Sequence, residues 1–222
     1  MGSGARVLDV GCGAGLFCVL AAARGALVAG IDASAAFIAI AKARVPRGDF
    51  RLGEMEVLPY TDKTFDVVTS FNSLQFAAAP VKALREAWRV AKPGAAVVSA
   101  IWDKPELSEA TVLLTALRPL LPAPPPGAPG PFALSQDGTL EALFDQAGLT
   151  LRSVEEIKCP FEYPDLETAL RGFLSSGPAV KAIQTSGEAR VREVLTTAIA
   201  SFRLSSGGYR LDNSFRILFS TA

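Results

Sequence analysis

Short apolar runs rich in β-branched residues alternate along the chain with segments whose apolar positions recur at helical spacing. The runs predict strands at Arg6 to Val10, Leu27 to Ile31, Asp49 to Leu52, Phe65 to Ser70 and Ala95 to Ile101. The periodic segments predict helices at Gly15 to Arg24, Ser34 to Ala43 and Val81 to Arg89, with Lys92-Pro93-Gly94 as a stop before the fifth strand. This alternation argues for an α/β fold in which a parallel sheet is covered on both faces. Further on, Leu107 to Leu120 reads as a helix, and the proline-rich Pro122 to Pro131 as a stiff extended connection. Helical patterns recur at Thr139 to Ala147, Asp165 to Leu174, Ala179 to Gln184 and Glu188 to Phe202, with strand patterns at Leu149 to Ile157 and Ser214 to Ser220.

Composition narrows the class. A chain of 222 residues that is 50% hydrophobic suits one elaborated domain. Its 22 basic and 22 acidic residues cancel, and no basic run offers a footprint for a nucleic-acid backbone. The longest apolar stretch, Ala35 to Ala43, is interrupted by Lys42, so no membrane span is expected. The first strand begins too close to Met1 for a signal peptide to be expected. Cys12, Cys18 and Cys159 are an odd set, and with no histidine a metal site is not expected. The expected compartment is a reducing cytoplasm.

The chemistry concentrates in Val7-Leu8-Asp9-Val10-Gly11-Cys12-Gly13-Ala14-Gly15, a buried strand joined through three alternating glycines to a helix. Glycines at this spacing let the backbone turn sharply and approach a ligand, and Asp32 closes the next apolar run, where a carboxylate can accept both hydroxyls of a ribose. A dinucleotide fingerprint would place its third glycine at Leu16 rather than Gly15, which disfavours a pyrophosphate seat. Asp9, inside the strand, suits an ammonium or sulfonium group better than a phosphate. The pattern favours a cationic nucleoside ligand.

Gly53-Glu54-Met55-Glu56-Val57-Leu58-Pro59-Tyr60, Phe65-Asp66-Val67-Val68 and Arg85-Glu86-Ala87-Trp88-Arg89-Val90-Ala91-Lys92-Pro93-Gly94 follow the glycine loop in order. Together, from about Arg6 to Ile101, these segments resemble the class I S-adenosylmethionine-dependent methyltransferases, in the small-molecule branch that includes the ubiquinone and menaquinone biosynthesis enzymes. The resemblance implies a Rossmann-like, seven-stranded, mostly parallel sheet with helices on both faces and a helical insertion before the last strand. It also implies a single domain, with a cofactor half at 1–102 and substrate-side elements and a lid at 103–222. Thr139 to Ala147 and Leu149 to Ile157 resemble the family's next helix and sixth strand, which puts the proline-rich loop inside that domain. The implied cofactor is S-adenosyl-L-methionine. Asp9, Gly11, Gly13 and Gly15 would hold its methionine part and Asp32 its ribose, while Glu54 would meet the adenine amino group under an apolar cover from Met55. Cys12, Ala33 and Ser70 fall in the same binding segments.

In-line methyl transfer needs chiefly alignment and exclusion of water, with a base only for a protonated acceptor. No imidazole is available, and Gln75 stands where relatives often carry histidine. Asn72 and Gln75 are candidates to orient an acceptor, with Asp103 or Tyr163 as a base. Phe71, Trp102 and Tyr163 are candidate acceptor contacts. The segment Ser70-Phe71-Asn72-Ser73 lacks an Asn-Pro-Pro-Tyr pattern, which argues against DNA bases and protein glutamine as acceptors. The expected reaction is methyl transfer to a small molecule; the alternatives are a catalytically inactive cofactor-binding protein and, disfavoured by the glycine spacing, a nicotinamide-dependent dehydrogenase. Phe161, Phe173 and Phe202 fit either a substrate cover or ordinary core.

Overall fold

The computed structural model describes residues 2–123 and 130–222. In chain order the regular elements are β1 (Arg6–Val10), α1 (Leu16–Ala23), β2 (Leu27–Asp32), α2 (Ala35–Arg44), β3 (Asp49–Leu52), β4 (Phe65–Phe71), α3 (Pro80–Val90), β5 (Ala91–Trp102), α4 (Thr111–Leu117), α5 (Thr139–Ala147), β6 (Thr150–Lys158), β7 (Phe161–Tyr163), α6 (Leu166–Leu174), α7 (Gly177–Ser186), α8 (Glu188–Ala198), β8 (Tyr209–Leu211) and β9 (Ser214–Thr221). Seven strands form one sheet in the order β3-β2-β1-β4-β5-β9-β6. β1, β2, β3, β4 and β5 pair in parallel. Ala222 bonds Gly94 and Ala95 at the start of β5, whereas Ser214 receives the Asp103 N–H at its end, so β9 runs antiparallel to β5.

Among the described residues the chain forms two compact units. The first takes in 2–102, 130–156 and 216–222, the second 103–123 and 157–215. The first is a doubly covered sheet, as the apolar runs require. One cluster, built on Leu8, Val10, Ile31, Val68 and Val97 with Leu84, Leu140 and Phe144, fills one face; Val7, Val28 and Phe50 with Cys18, Ile38 and Ala41 fill the other. The second unit has its own core of Leu117, Leu170, Phe173, Val191, Leu195, Ile199 and Leu211. Phe173 is buried there and Phe161 and Phe202 pack against it, so all three serve as core of this unit.

Local signals set several boundaries. Ser34 caps α2 by accepting the Phe37 N–H, and α5 stops at Gly148, whose left-handed backbone only glycine adopts readily. Three expectations need correction. The Lys92-Pro93-Gly94 stop lies inside β5, where Phe65 pairs with Ala91 but Val67 with Ala96, so the segment bulges from the ladder. The helix expected from Leu107 to Leu120 is a short α4 between 3-10 turns at Pro105–Leu107 and Arg118–Leu120. Phe161–Tyr163 and Tyr209–Leu211 form a separate antiparallel ribbon that the periodicity did not signal. Most of the proline-rich connection, 124–129, lies outside the described residues.

Candidate functional site

At the carboxyl ends of β1, β2 and β4 the backbone opens into a cavity of about 520 Å³. The first wall is the glycine loop. Gly11 and Cys12 both donate to the Ile31 carbonyl, at 2.8 and 3.0 Å, which folds the loop back onto β2. Gly11 has φ of 74°, and a Cβ there would lie 2.2 Å from that of Ser73, whose hydroxyl bonds the Val10 carbonyl. Its absence of side chain is thus a packing requirement between the loop and the turn after β4. Gly13, also at positive φ, has open space where its Cβ would be, on the cavity wall. Gly15 is different: it caps α1 in the left-handed region and packs on Ala41, away from the cavity lining.

Asp32, the last residue of β2, lines the cavity beside Ala33. Its carboxylate accepts Gly13 N–H on one oxygen and Ser34 N–H on the other, both at 2.8 Å. It therefore clamps the glycine loop to the start of α2, and each oxygen keeps a lone pair for a further donor. The opposite wall is Gly53, Glu54 and Met55, with Glu56, whose carboxylate accepts the Ala79 N–H at the start of α3. Three carboxylates and no Lys or Arg line this cavity, which makes it a cation-favouring site.

Asp9 is not a lining residue. It is 3% exposed beneath the loop, accepting from the Thr69 hydroxyl at 2.7 Å, with the Cys18 thiol 3.9 Å away. Burial, reinforced by the Asp32 charge and opposed by the Thr69 bond, pushes its pKa up to about 6. Burial, then the nearby Asp9 and Asp32, pushes the Cys12 thiol up to about 12, so it stays protonated.

The turn after β4 divides the remaining candidates. Phe71 and Asn72 line the cavity; Phe71 stacks edge-on against Phe17 at 4.8 Å, and Asn72, at φ of 53°, is pinned by its N–H to the Ala100 carbonyl. Gln75 is 2% exposed, outside the lining, and both its amide atoms lack a partner. The Ser70 hydroxyl bonds that of Ser99 at 2.5 Å, and Ser70 lies beside the lining residue Met55 rather than in the lining itself.

Trp102, Asp103 and Tyr163 also lie outside the lining residues. The Trp102 ring meets Phe132 edge-on and its carbonyl accepts from Ser135. Asp103, 1% exposed, has both oxygens engaged, by the Lys104 N–H and the Ser214 hydroxyl. What sets it apart from Asp32, which also carries one donor per oxygen, is burial: Asp103 opens onto none of the cavity where a base would have to act. Tyr163 belongs to the β7–β8 ribbon and packs on Phe173 in the second unit's core. Phe37, Phe76, Ala77 and Ala78 line the cavity and had no place among the sequence candidates. Phe37 and Phe76 are large apolar side chains left about half exposed, at 48% and 55%. A phenylalanine in the first turn after Asp32, and another in the turn after β4, were the available signals.

Among the described residues no group of three His, Cys, Asp or Glu side chains could hold a metal ion, and no helix is long and apolar enough to cross a membrane. Residues 8–99 match the family model described as a methyltransferase domain. A demethylmenaquinone methyltransferase of Renibacterium salmoninarum is 38% identical over 121 residues, 54% of this chain and 51% of that protein. The chain spans about half the length of the curated relatives it first matches. An uncharacterised protein of Mycobacterium bovis is 30% identical over 192 residues, 82% of this chain and 68% of its own length. In fold, the YcgJ protein of Bacillus subtilis superposes with a TM-score of 0.65 at 19% identity, covering 99% of this chain and 92% of that one. With this strand order, this glycine loop and clamping aspartate, and these relatives, the chain belongs to the class I S-adenosylmethionine-dependent methyltransferases.

Proposed function

We propose that the chain transfers a methyl group from S-adenosyl-L-methionine to a small-molecule acceptor, acting chiefly by positioning. The observation that carries this is Asp32, which clamps the glycine loop at the mouth of an acidic cavity while keeping lone pairs for two hydroxyls. The residues fit the cofactor: Gly13 leaves open space on the wall, and the three lining carboxylates face no competing cation among the lining residues. The cofactor supplies a methyl group activated on a sulfonium. Asp32 accepts the ribose hydroxyls. Met55, Phe37 and Phe76 would give its base an apolar cover, and Glu54 would accept from its exocyclic amine. Asp9, held charged above its raised pKa, contributes a negative potential behind the loop. Phe71 and Asn72, on the cavity lining, orient the acceptor. The helical insertion of the second unit carries acceptor choice, and both units serve one methyltransferase domain, in a reducing cytoplasm and without nucleic acid as a substrate.

The test is a labelled-methyl assay of purified protein against phenols, amines and quinone precursors. Turnover on one class is the expected outcome. Cofactor binding without turnover on any of them would leave only a binding protein, and tight binding of a nicotinamide dinucleotide would overturn the cofactor assignment.

A further inference from the structure

β6 is the outer strand of the seven-stranded sheet, and along its nine residues eight are exposed and Ser153 is half-buried. Natural edges of this length are normally covered, kinked or interrupted by proline, because an open row of backbone donors and acceptors is a template for another strand. β6 contains no proline. It leaves Leu151, Val154 and Ile157 at 37%, 37% and 39% exposure. Among the described residues Glu155, Glu156 and Lys158 make no ion pair, and the Arg152 guanidinium bonds the Thr221 hydroxyl of the neighbouring strand.

We propose that this edge pairs with the same edge of a second copy of the chain, antiparallel, with the twofold axis at Val154. The argument is one of register. In an antiparallel pair, directly opposed residues point the same way relative to the ladder, so a twofold axis between identical strands must pass through a residue. An axis at Val154 sets Val154 opposite itself, Leu151 opposite Ile157, Arg152 opposite Glu156, Ser153 opposite Glu155 and Thr150 opposite Lys158, each of the last four occurring twice. The charged residues that face each other in this register, Arg152 and Glu156, are of opposite sign, Glu155 and Lys158 face the hydroxyl residues Ser153 and Thr150, and apolar side chains meet on both faces of the sheet. Shifting the axis destroys this. Axes at Arg152, Glu155 or Glu156 oppose like charges at the centre, an axis at Ser153 sets Leu151 against Glu155, and axes at Leu151 or Ile157 pair only three residues. Charges on an edge ordinarily keep copies apart; here their order selects one self-complementary alignment. A single strand pair is a small interface, below about 1,200 Å², so the dimer is reversible on dilution.

This inference stands apart from the methyl-transfer reading, since β6 contributes nothing to the cavity lining. Its test is sedimentation velocity of the full chain across a dilution series, with circular dichroism as a folding control. Wild type is expected to dimerise. Arg152→Glu and Glu156→Arg each create two like-charge pairs at the axis and should each weaken the dimer by on the order of tenfold or more. Mixing the two single variants restores opposite charges across the axis, so the mixture should associate, and the double variant Arg152→Glu/Glu156→Arg should dimerise again. A wild type that stays monomeric throughout, a dimer indifferent to both single variants, or a mixture and double variant that fail to associate while folded would each overturn the assignment.

Discussion

Replacing Asp9 by Asn separates what a buried carboxylate costs the fold from what it contributes to the ligand. In the folded chain its pKa is raised from 3.8 to about 6, with burial as the largest cause. A raised carboxyl pKa means that the folded state holds the proton more tightly than the unfolded state. The associated stability is therefore fully present below the unfolded value and is lost as pH rises through the folded one. A shift of about 2 units at about 1.4 kcal/mol each makes the charged form roughly 3 kcal/mol costlier to fold at neutral pH. Asn keeps an oxygen to accept from Thr69 and removes the charge, so Asp9→Asn should stabilise the ligand-free protein above about pH 6, and by progressively less toward about pH 4. Denaturant unfolding of both proteins across that range measures the difference. The same substitution should weaken the sulfonium cofactor more than its neutral demethylated product, because the lost interaction is with the positive charge. A variant destabilised equally at acid and neutral pH would refute the reasoning, since packing rather than ionisation would then govern the site.

Asp32→Ala removes the acceptor of two backbone N–H groups, and calorimetry should show the nucleoside weakened by about 1.5–3 kcal/mol; equal affinity in variant and wild type would remove Asp32 from the site. Gly11→Ala drives a Cβ to within 2.2 Å of Ser73 at a φ of 74°, and thermal unfolding should register a loss of about 1–3 kcal/mol from overpacking alone. Gly13→Ala meets no atom, so it should fold within about 1–2 kcal/mol of wild type, the cost of left-handed backbone, while cofactor affinity falls because the methyl group occupies the cavity wall. Asp103→Asn should lower stability by about 1–3 kcal/mol through its Lys104 and Ser214 bonds, yet leave the shape of the pH–rate profile unchanged; a profile flattened by this substitution would make Asp103 a base after all.

What the sequence determined by itself was whatever short-range physics specifies. The strand ending in alternating glycines, the aspartate closing the second strand, the capped α2 and the α5 helix with its Gly148 stop were all legible, because turn chemistry and hydrophobic period act within a few residues. The order of motifs from Asp9 to Gly94 carried the family. Three-dimensional structure alone decided the rest. Asp9 looked like a cavity residue, but packing of α1 against β1 seals it beneath the loop, and the Ser70 hydroxyl is paired with that of Ser99 on the next strand. Asp103 read as a candidate base, and the fold buries it against Ser214, 111 positions away, whose hydroxyl donates to it. The β7–β8 ribbon joins Phe161 to Leu211, and β9 threads between β5 and β6, pairings whose partners lie too far apart in the chain for any local pattern to encode. That threading leaves β6 as the outer strand, so whether Arg152 and Glu156 are surface ornament or half of a symmetric ladder follows from sheet order, a property of the folded chain as a whole.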